Sequence, residues 1–316
     1  MASKKEEKAK EKKVKKVDYN KWGYFFIAPF FIIFTIFSLI PLISTFVNSL
    51  YENYRVGLMT VGPDFIGLEN FKEVFRSDIV RYIGNTALIW VAGFIPQIVV
   101  SLLLSIWFTS TDLKIRFQQF LKTVIYMPNL IMASAFAMLF FTLFSTNGPV
   151  NSILVRSGLF TENVRFLAEV GWTRALVAIM NFLMWYGNTT IMLMAGIMSI
   201  DTSIYEAARI DGANPVQTFF RITMPLLMPI FIYVLITSLI GGIQMFDVPQ
   251  ILTNGEGTPD RTSMTLIMYL NKHLASKNYG MAGAVSVVTF IITSVLSFSV
   301  YTMTMNKYRS MTGAKK

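Results

Sequence analysis

Acid–base, metal and nucleophilic chemistry need reactive side chains gathered at set spacings, and this sequence has few to gather. It contains no cysteine and one histidine, His273. That excludes disulfides, thiolate zinc sites, iron–sulfur clusters, a cysteine nucleophile and any paired-histidine metal site. Its 18 Asp and Glu residues are scattered through loops and form no acid/base cluster. No Gly-rich loop ending in Lys-Ser or Lys-Thr is present to bind ATP. No catalytic residue and no metal ligand is assigned, and His273 reads as a surface residue. The segment whose spacing carries a geometry is 201–224, DTSIYEAARIDGANPVQTFFRITM. Here Tyr205 to Ile210 predicts one short helix with Glu206 and Arg209 on a common face. Gly212 permits a left-handed turn, Asn214 then caps, and Pro215 starts a second helix. Pro225 marks the return to an apolar stretch. A second group holds uncharged polar, aromatic and sulfur side chains inside apolar stretches: Asn129, Asn181, Trp185, Asn188, Ser238, Gln244 and Met245. Such side chains can hydrogen-bond or stack on a solute, or bond one helix to another. Gly241-Gly242 predicts a local break or close packing, with Pro229 loosening the start of the same helix.

The elements that must position these residues follow from where charges are missing. Of 316 residues, 53% are hydrophobic and 15% charged, against about 25% charged in soluble domains. Six windows hold no Asp, Glu, Lys or Arg: 23–51, 82–111, 123–155, 175–200, 222–246 and 278–306. Each exceeds the roughly 20 apolar residues a membrane-crossing helix needs. The expected fold is an all-α membrane protein of six transmembrane helices. A basic tail (1–22) precedes a six-helix transmembrane domain (23–306), and a short tail (307–316) follows. The net charge of +10 sorts by loop. The two tails and the loops after the second and fourth windows hold 18 of the 28 Lys and Arg, and 8 acidic residues; the other loops are neutral in sum. The positive-inside rule then puts both termini in the cytoplasm, and the basic balance speaks for membrane lipid rather than nucleic acid. Between windows one and two, 65–75 (FIGLENFKEVF) predicts a short surface helix, and 252–259 an irregular loop. The first apolar stretch is too long for a cleaved leader and reads as a retained helix. No charge stands in any window, so proton coupling through intramembrane acids or histidines is unsupported. The energy for any transport must come from another polypeptide. A channel would show a filter-like loop or a charged ring, and neither is present.

The segment 201–224 resembles the Glu-Ala-Ala signature of permease subunits of bacterial ABC importers, carried by Glu206, Ala207, Ala208, Gly212, Ile222 and Pro225. Ile210-Asp211-Gly212-Ala213 with Phe219-Phe220 is similar to the carbohydrate-uptake branch. So are 65–75, Phe246-Asp247 with 252–255, and Tyr279-Gly280 with Ala282 and Ala284. Glu256 departs from the branch, which more often has consecutive glycines and a proline there. The resemblance implies a non-catalytic permease in a bacterial cytoplasmic membrane. It implies a second homologous permease, most simply as a heterodimer, and two ABC ATPase subunits that bind ATP and magnesium, this chain holding no cofactor. An extracytoplasmic sugar-binding protein would deliver a carbohydrate, with glycerol phosphate the runner-up class of solute. It implies further that the helix at 206–212 is a cytoplasmic coupling helix between the fourth and fifth spans. Glu206 would contact the ATPase, Ala207 and Ala208 would allow close approach, and Asp211, Gly212 and Pro225 would shape the turn. By the same likeness Asn129, Ser238 and Met245 fall near sugar-contacting positions.

Overall fold

The computed structural model describes residues 20–110, 113 and 115–312. Most of the expected tail 1–22, the last four residues of the tail 307–316 and Lys114 lie outside the described residues. The chain divides into two units, Met1–Val47 and Asn48–Lys316. In the first, α1 (Asn20–Phe34) passes through a π-helical turn (Thr35–Leu39) into α2 (Ile40–Asn48), and Trp22–Asn48 is long and apolar enough to cross a membrane. The wide turn has a local cause. A proline ring clashes with the carbonyl four residues back. For Pro41 that is Phe37, inside the π turn, whose looser coil moves the carbonyl aside.

The second unit opens with a β-hairpin, β1 (Tyr51–Val56) and β2 (Met59–Phe65), antiparallel and reversed at Gly57, whose φ is +60°. This corrects the all-helical expectation, because 51–65 read as loop. The surface helix forms later than predicted, as α3 (Glu69–Arg76). Then come α4 (Ile79–Thr109), α5 (Gln118–Leu130), α6 (Ala133–Leu143), α7 (Pro149–Arg156) and α8 (Val170–Met198). After them follow α9 (Thr202–Ile210), α10 (Pro215–Thr218), α11 (Met224–Ile243), α12 (Asp247–Leu252), α13 (Leu266–Ala275) and α14 (Tyr279–Thr312). Four stretches of this unit could span a membrane: Ile79–Thr109, Val170–Met198, Pro215–Leu252 and Tyr279–Asn306.

The window 123–155 is the exception. It is divided between α5 and α6, which meet at 90° and make one span only as a broken pair. Pro128 removes a backbone donor in the last turn of α5, and Ile131 and Met132 are extended. Asn129 Nδ2 donates to the Met184 carbonyl at 3.1 Å and pins the broken end to α8. Pro225 stands at the start of the apolar helix, as expected. It lies in a helix that runs on from α10 through a second π turn (Phe219–Thr223) into α11. The carbonyl four residues before it, Arg221, sits in that π turn, the same solution as at Pro41.

Close helix contacts are made where side chains vanish. A Cβ on Gly93 would stand 2.8 Å from the Ala178 carbonyl, and one on Gly187 would collide with the Ile125 backbone. These contacts let α4 and α5 press against α8. The core has three parts. One joins α4, α11, α13 and α14 near the hairpin. A second joins α4, α6, α8 and α12. A third, around Leu193, Ile197, Leu227 and Val234, lies toward α9.

Candidate functional site

The helices α4, α8 and α11 leave between them a cavity of about 300 Å³. Each presents one stripe to it at helical spacing: Trp90, Phe94 and Gln97 from α4; Asn181, Trp185 and Asn188 from α8; Tyr233, Thr237 and Ser238 from α11. Residues three, four and seven apart share a helix face, so these stripes follow from the period of the helix. Two hydrogen bonds tie the walls together. Trp90 Nε1 donates to Ser238 Oγ at 3.2 Å, and Gln97 Nε2 to Thr189 Oγ1 at 2.8 Å. Asn181 Nδ2 reaches the Met245 sulfur at 3.2 Å. Trp185 and Tyr233 remain 47% and 51% exposed, so the cavity is open on one side. Among the described residues no charged side chain lines it.

Five of the seven intramembrane candidates therefore share one cavity: Asn181, Trp185, Asn188, Ser238 and Met245. The other two do not join them. Asn129 spends its amide on the α8 backbone, and Gln244 is exposed just beyond the end of α11. Sequence reasoning missed the whole α4 wall, with Thr189, Tyr233 and Thr237. Gln97 carried the signal that should have found it, being an amide in a charge-free window. The glycine pair is also settled. The helix runs through Gly241 and Gly242 without a break, and buried Gly242 lies against the Trp90 indole.

The segment 201–224 forms an elbow at the opposite end of this unit from the hairpin. Asp201 caps α9 by accepting from the Ser203 N–H at 2.9 Å, and this bond holds its carboxyl below the usual range. The helix stops in a Schellman turn: Gly212 N donates to Arg209 O, Ala213 N to Ala208 O, and Gly212 has φ +74°. Asn214 and Gln217 then exchange backbone and side-chain hydrogen bonds in a capping box, with Pro215 at the first helical position. The predicted helix, turn, cap and second helix all stand where the sequence put them. Tyr205 Oη and Thr223 Oγ1, 3.3 Å apart, fasten α9 to the π turn. Ala208 is buried beneath this joint, while Glu206, Ala207 and Asp211 are exposed and Pro225 is half-buried. Glu206 and Arg209 border a hollow of about 660 Å³ that Thr109 and Ser110 close from the end of α4.

At the hairpin end, Arg174 lies inside α8, where a loop was expected. Its Nη2 donates to Asn85 Oδ1 at 2.6 Å and its Nε to the Thr262 carbonyl at 2.9 Å. Buried Asn85 in turn donates to the carbonyls of Arg261 and Met264. The run 253–265 is thereby bound across the ends of α4 and α8. Glu256, the unusual residue of that run, pairs with Lys272 at 3.2 Å. His273 is not a plain surface residue. Its ring is half-buried edge-on against Tyr269, with centroids 4.7 Å apart. Burial, and then the neighbouring Lys272 charge, hold its pKa below the ordinary value.

Residues 17–309 match the family described as binding-protein-dependent transport system inner membrane component. The lactose transport system permease protein LacF of Rhizobium radiobacter is 31% identical over 285 residues, covering 89% of this chain and 93% of that one. The arabinooligosaccharides transport system permease protein AraP of Bacillus subtilis is 30% identical, covering 87% and 85%. A crystal structure of a bacterial ABC transporter that imports the acidic polysaccharide alginate superposes with a TM-score of 0.75 at 24% identity. That match covers 90% of this chain and 96% of that one. A multi-pass helical chain with these relatives and a family match over nearly its full length belongs to the binding-protein-dependent transport system inner membrane components.

Proposed function

We propose that this chain is the permease subunit of an ATP-driven importer of a neutral sugar or oligosaccharide. One observation carries the reading: the cavity between α4, α8 and α11 offers amides, hydroxyls and aromatic faces, and no charge. A sugar exposes hydroxyls around an apolar ring face, so it asks for those groups together. An anionic solute would need a Lys or Arg that the described lining does not supply, which sets glycerol phosphate below a neutral sugar. Relatives named for lactose and arabinooligosaccharide transport support the same class.

The cavity is open on one side, which suits a pathway completed by a second, homologous permease. The chain lies in a bacterial cytoplasmic membrane with six spans, counting the broken α5–α6 pair as one, and both termini inside. The elbow is the coupling element. The exposed Glu206 and Asp211 beside a rigid Schellman turn give a partner ATPase charge-assisted contacts on a fixed shape. Two such ATPases bind ATP and magnesium. An extracytoplasmic binding protein delivers the sugar at the hairpin end.

The test uses the complex purified through a tagged chain and reconstituted in liposomes, with uptake of lactose, maltose and arabinotriose as probes. Asn181→Leu with Asn188→Leu should abolish uptake of whichever probe the wild type carries, while ATPase and second permease still co-purify. Undiminished uptake by the double variant would remove the cavity from the pathway.

A further inference from the structure

Trp90 is held from several sides. Its Nε1 is held by Ser238 Oγ, and its ring stacks on Phe94 with centroids 5.4 Å apart and planes 19° from parallel. It packs against both of the core clusters nearer the hairpin. Its remaining neighbour on α11 is Gly242, where an added Cβ would overlap the indole itself. The open space that the ring lines is the cavity. A close-packed interior cannot absorb even one methyl without something moving. A side chain at position 242 would therefore drive the indole into the space between α4, α8 and α11.

We infer that Trp90 is the wall that limits what the cavity admits, and that Gly242 sets where this wall stands. Trp90 is then a specificity-determining residue and Gly242 a positioning residue that acts through it. The ligand is a neutral saccharide ring lying against the Trp90–Phe94 aromatic strip. A larger residue at 242 narrows the cavity, and a smaller one at 90 widens it. This rests on the reading of the cavity as the solute path, but the geometry can be tested without any sugar.

The chain has no cysteine, so label read on this chain, after the subunits are separated, reports a single introduced thiol. Asn181 bonds to Met245, three residues beyond Gly242, which puts position 181 beside the indole's seat. In the purified complex carrying Asn181→Cys, the rate of N-ethylmaleimide labelling is compared across backgrounds. Adding Gly242→Ala should slow labelling about tenfold or more, and adding Trp90→Leu to that should bring it back within about threefold. Trp90→Leu alone should speed labelling by a bulkier fluorescent maleimide, which decides the matter if Gly242→Ala fails to assemble. Unchanged labelling in Gly242→Ala, a block that Trp90→Leu does not relieve, or no gain with Trp90→Leu alone would each overturn the inference. Uptake of the three probe sugars is measured in parallel without the reporter cysteine. Labelling as described, with no wild-type uptake of any neutral sugar, would uphold the wall and refute the sugar reading.

Discussion

Replacing Arg174 by Met should loosen the run 253–265 far more than removal of a nearby surface ion pair. Arg174 donates at 2.6 Å to Asn85 and at 2.9 Å to the Thr262 carbonyl, and both acceptors belong to buried residues. Hydrogen bonds from a charged group contribute about 1.5–3 kcal/mol each, so the pair gives about 3–6 kcal/mol. The guanidinium is half-buried, and Asn85 keeps its bonds to Arg261 and Met264, so the lower end applies. A loss of about 3 kcal/mol in local opening is a rise of about 100-fold in hydrogen exchange. The amides to watch are Met264, which donates to Arg261 O, and Leu266, which donates to Thr86 Oγ1. Arg174→Lys keeps the charge but loses the fork, and should cost about tenfold. Arg81→Met removes an exposed pair with Asp260 and should cost less than about fivefold. Exchange mass spectrometry on the detergent-solubilised chain separates the three. Equal effects of Arg174→Met and Arg81→Met would refute the claim that burial gives the Arg174 bonds their strength.

Gly212→Asp puts a side chain on a backbone at φ +74°, at a cost of about 1–2 kcal/mol. That is too little to block insertion, so the variant should assemble but hydrolyse ATP without uptake, and wild-type uptake would count against the elbow's coupling role. Asn214→Ala removes half of the capping box and should lower stability by about 1 kcal/mol, read as thermal unfolding in detergent; no shift would mean the cap is redundant. His273 has a folded pKa below its unfolded one, so the open state binds the proton more readily. Protection of α13 should be full above about pH 6.5 and fall as pH drops below it. Exchange between pH 7.5 and 5.5, corrected for intrinsic rates, should show this loss in wild type and not in His273→Phe.

What could be read from the sequence depended on whether a signal was local. The elbow was legible because each part is written within a few residues. Gly212 supplies a left-handed stop, and Asn214-Pro215-x-Gln217 closes its own cap without help from the rest of the chain. The spans were legible because hydrophobic length is additive. The 90° break at Ile131–Met132 escaped, since a bent window has the same composition as a straight one, and Pro128 alone does not say whether a helix bends or ends. The hairpin escaped because six- and seven-residue strands beside 31-residue helices leave little pattern, and Gly57 looked like any loop glycine. The cavity was half legible. Asn129 and Asn181 are the same residue type in similar apolar runs. Asn129 bonds across to α8, while Asn181, on α8, donates to the Val177 carbonyl of its own helix and still lines the cavity; which way each faces is set by tertiary contacts such as Gly93 on Ala178 and Gly187 on Ile125.

In the coupling role proposed for the elbow, a push on α9 would reach the cavity through α11. α9 is fixed to the π turn through Tyr205 and Thr223, and from Pro215 to Ile243 the helix is unbroken. A displacement of α9 would therefore pass along α11 to Ser238 and Gly242, both against Trp90. At the far end, α4 and α8 are bound to one another and to 253–265 through Arg174 and Asn85. The two ends differ in what they hold. The hairpin end locks α4 to α8 through buried, charge-assisted bonds, while the elbow end fastens α9 to α11. Between them a neutral bond at 3.2 Å crosses the cavity from α4 to α11, from Trp90 to Ser238, and contributes about 1 kcal/mol. Motion of α11 against α4 would have to break this bond and carry Gly242 past the indole.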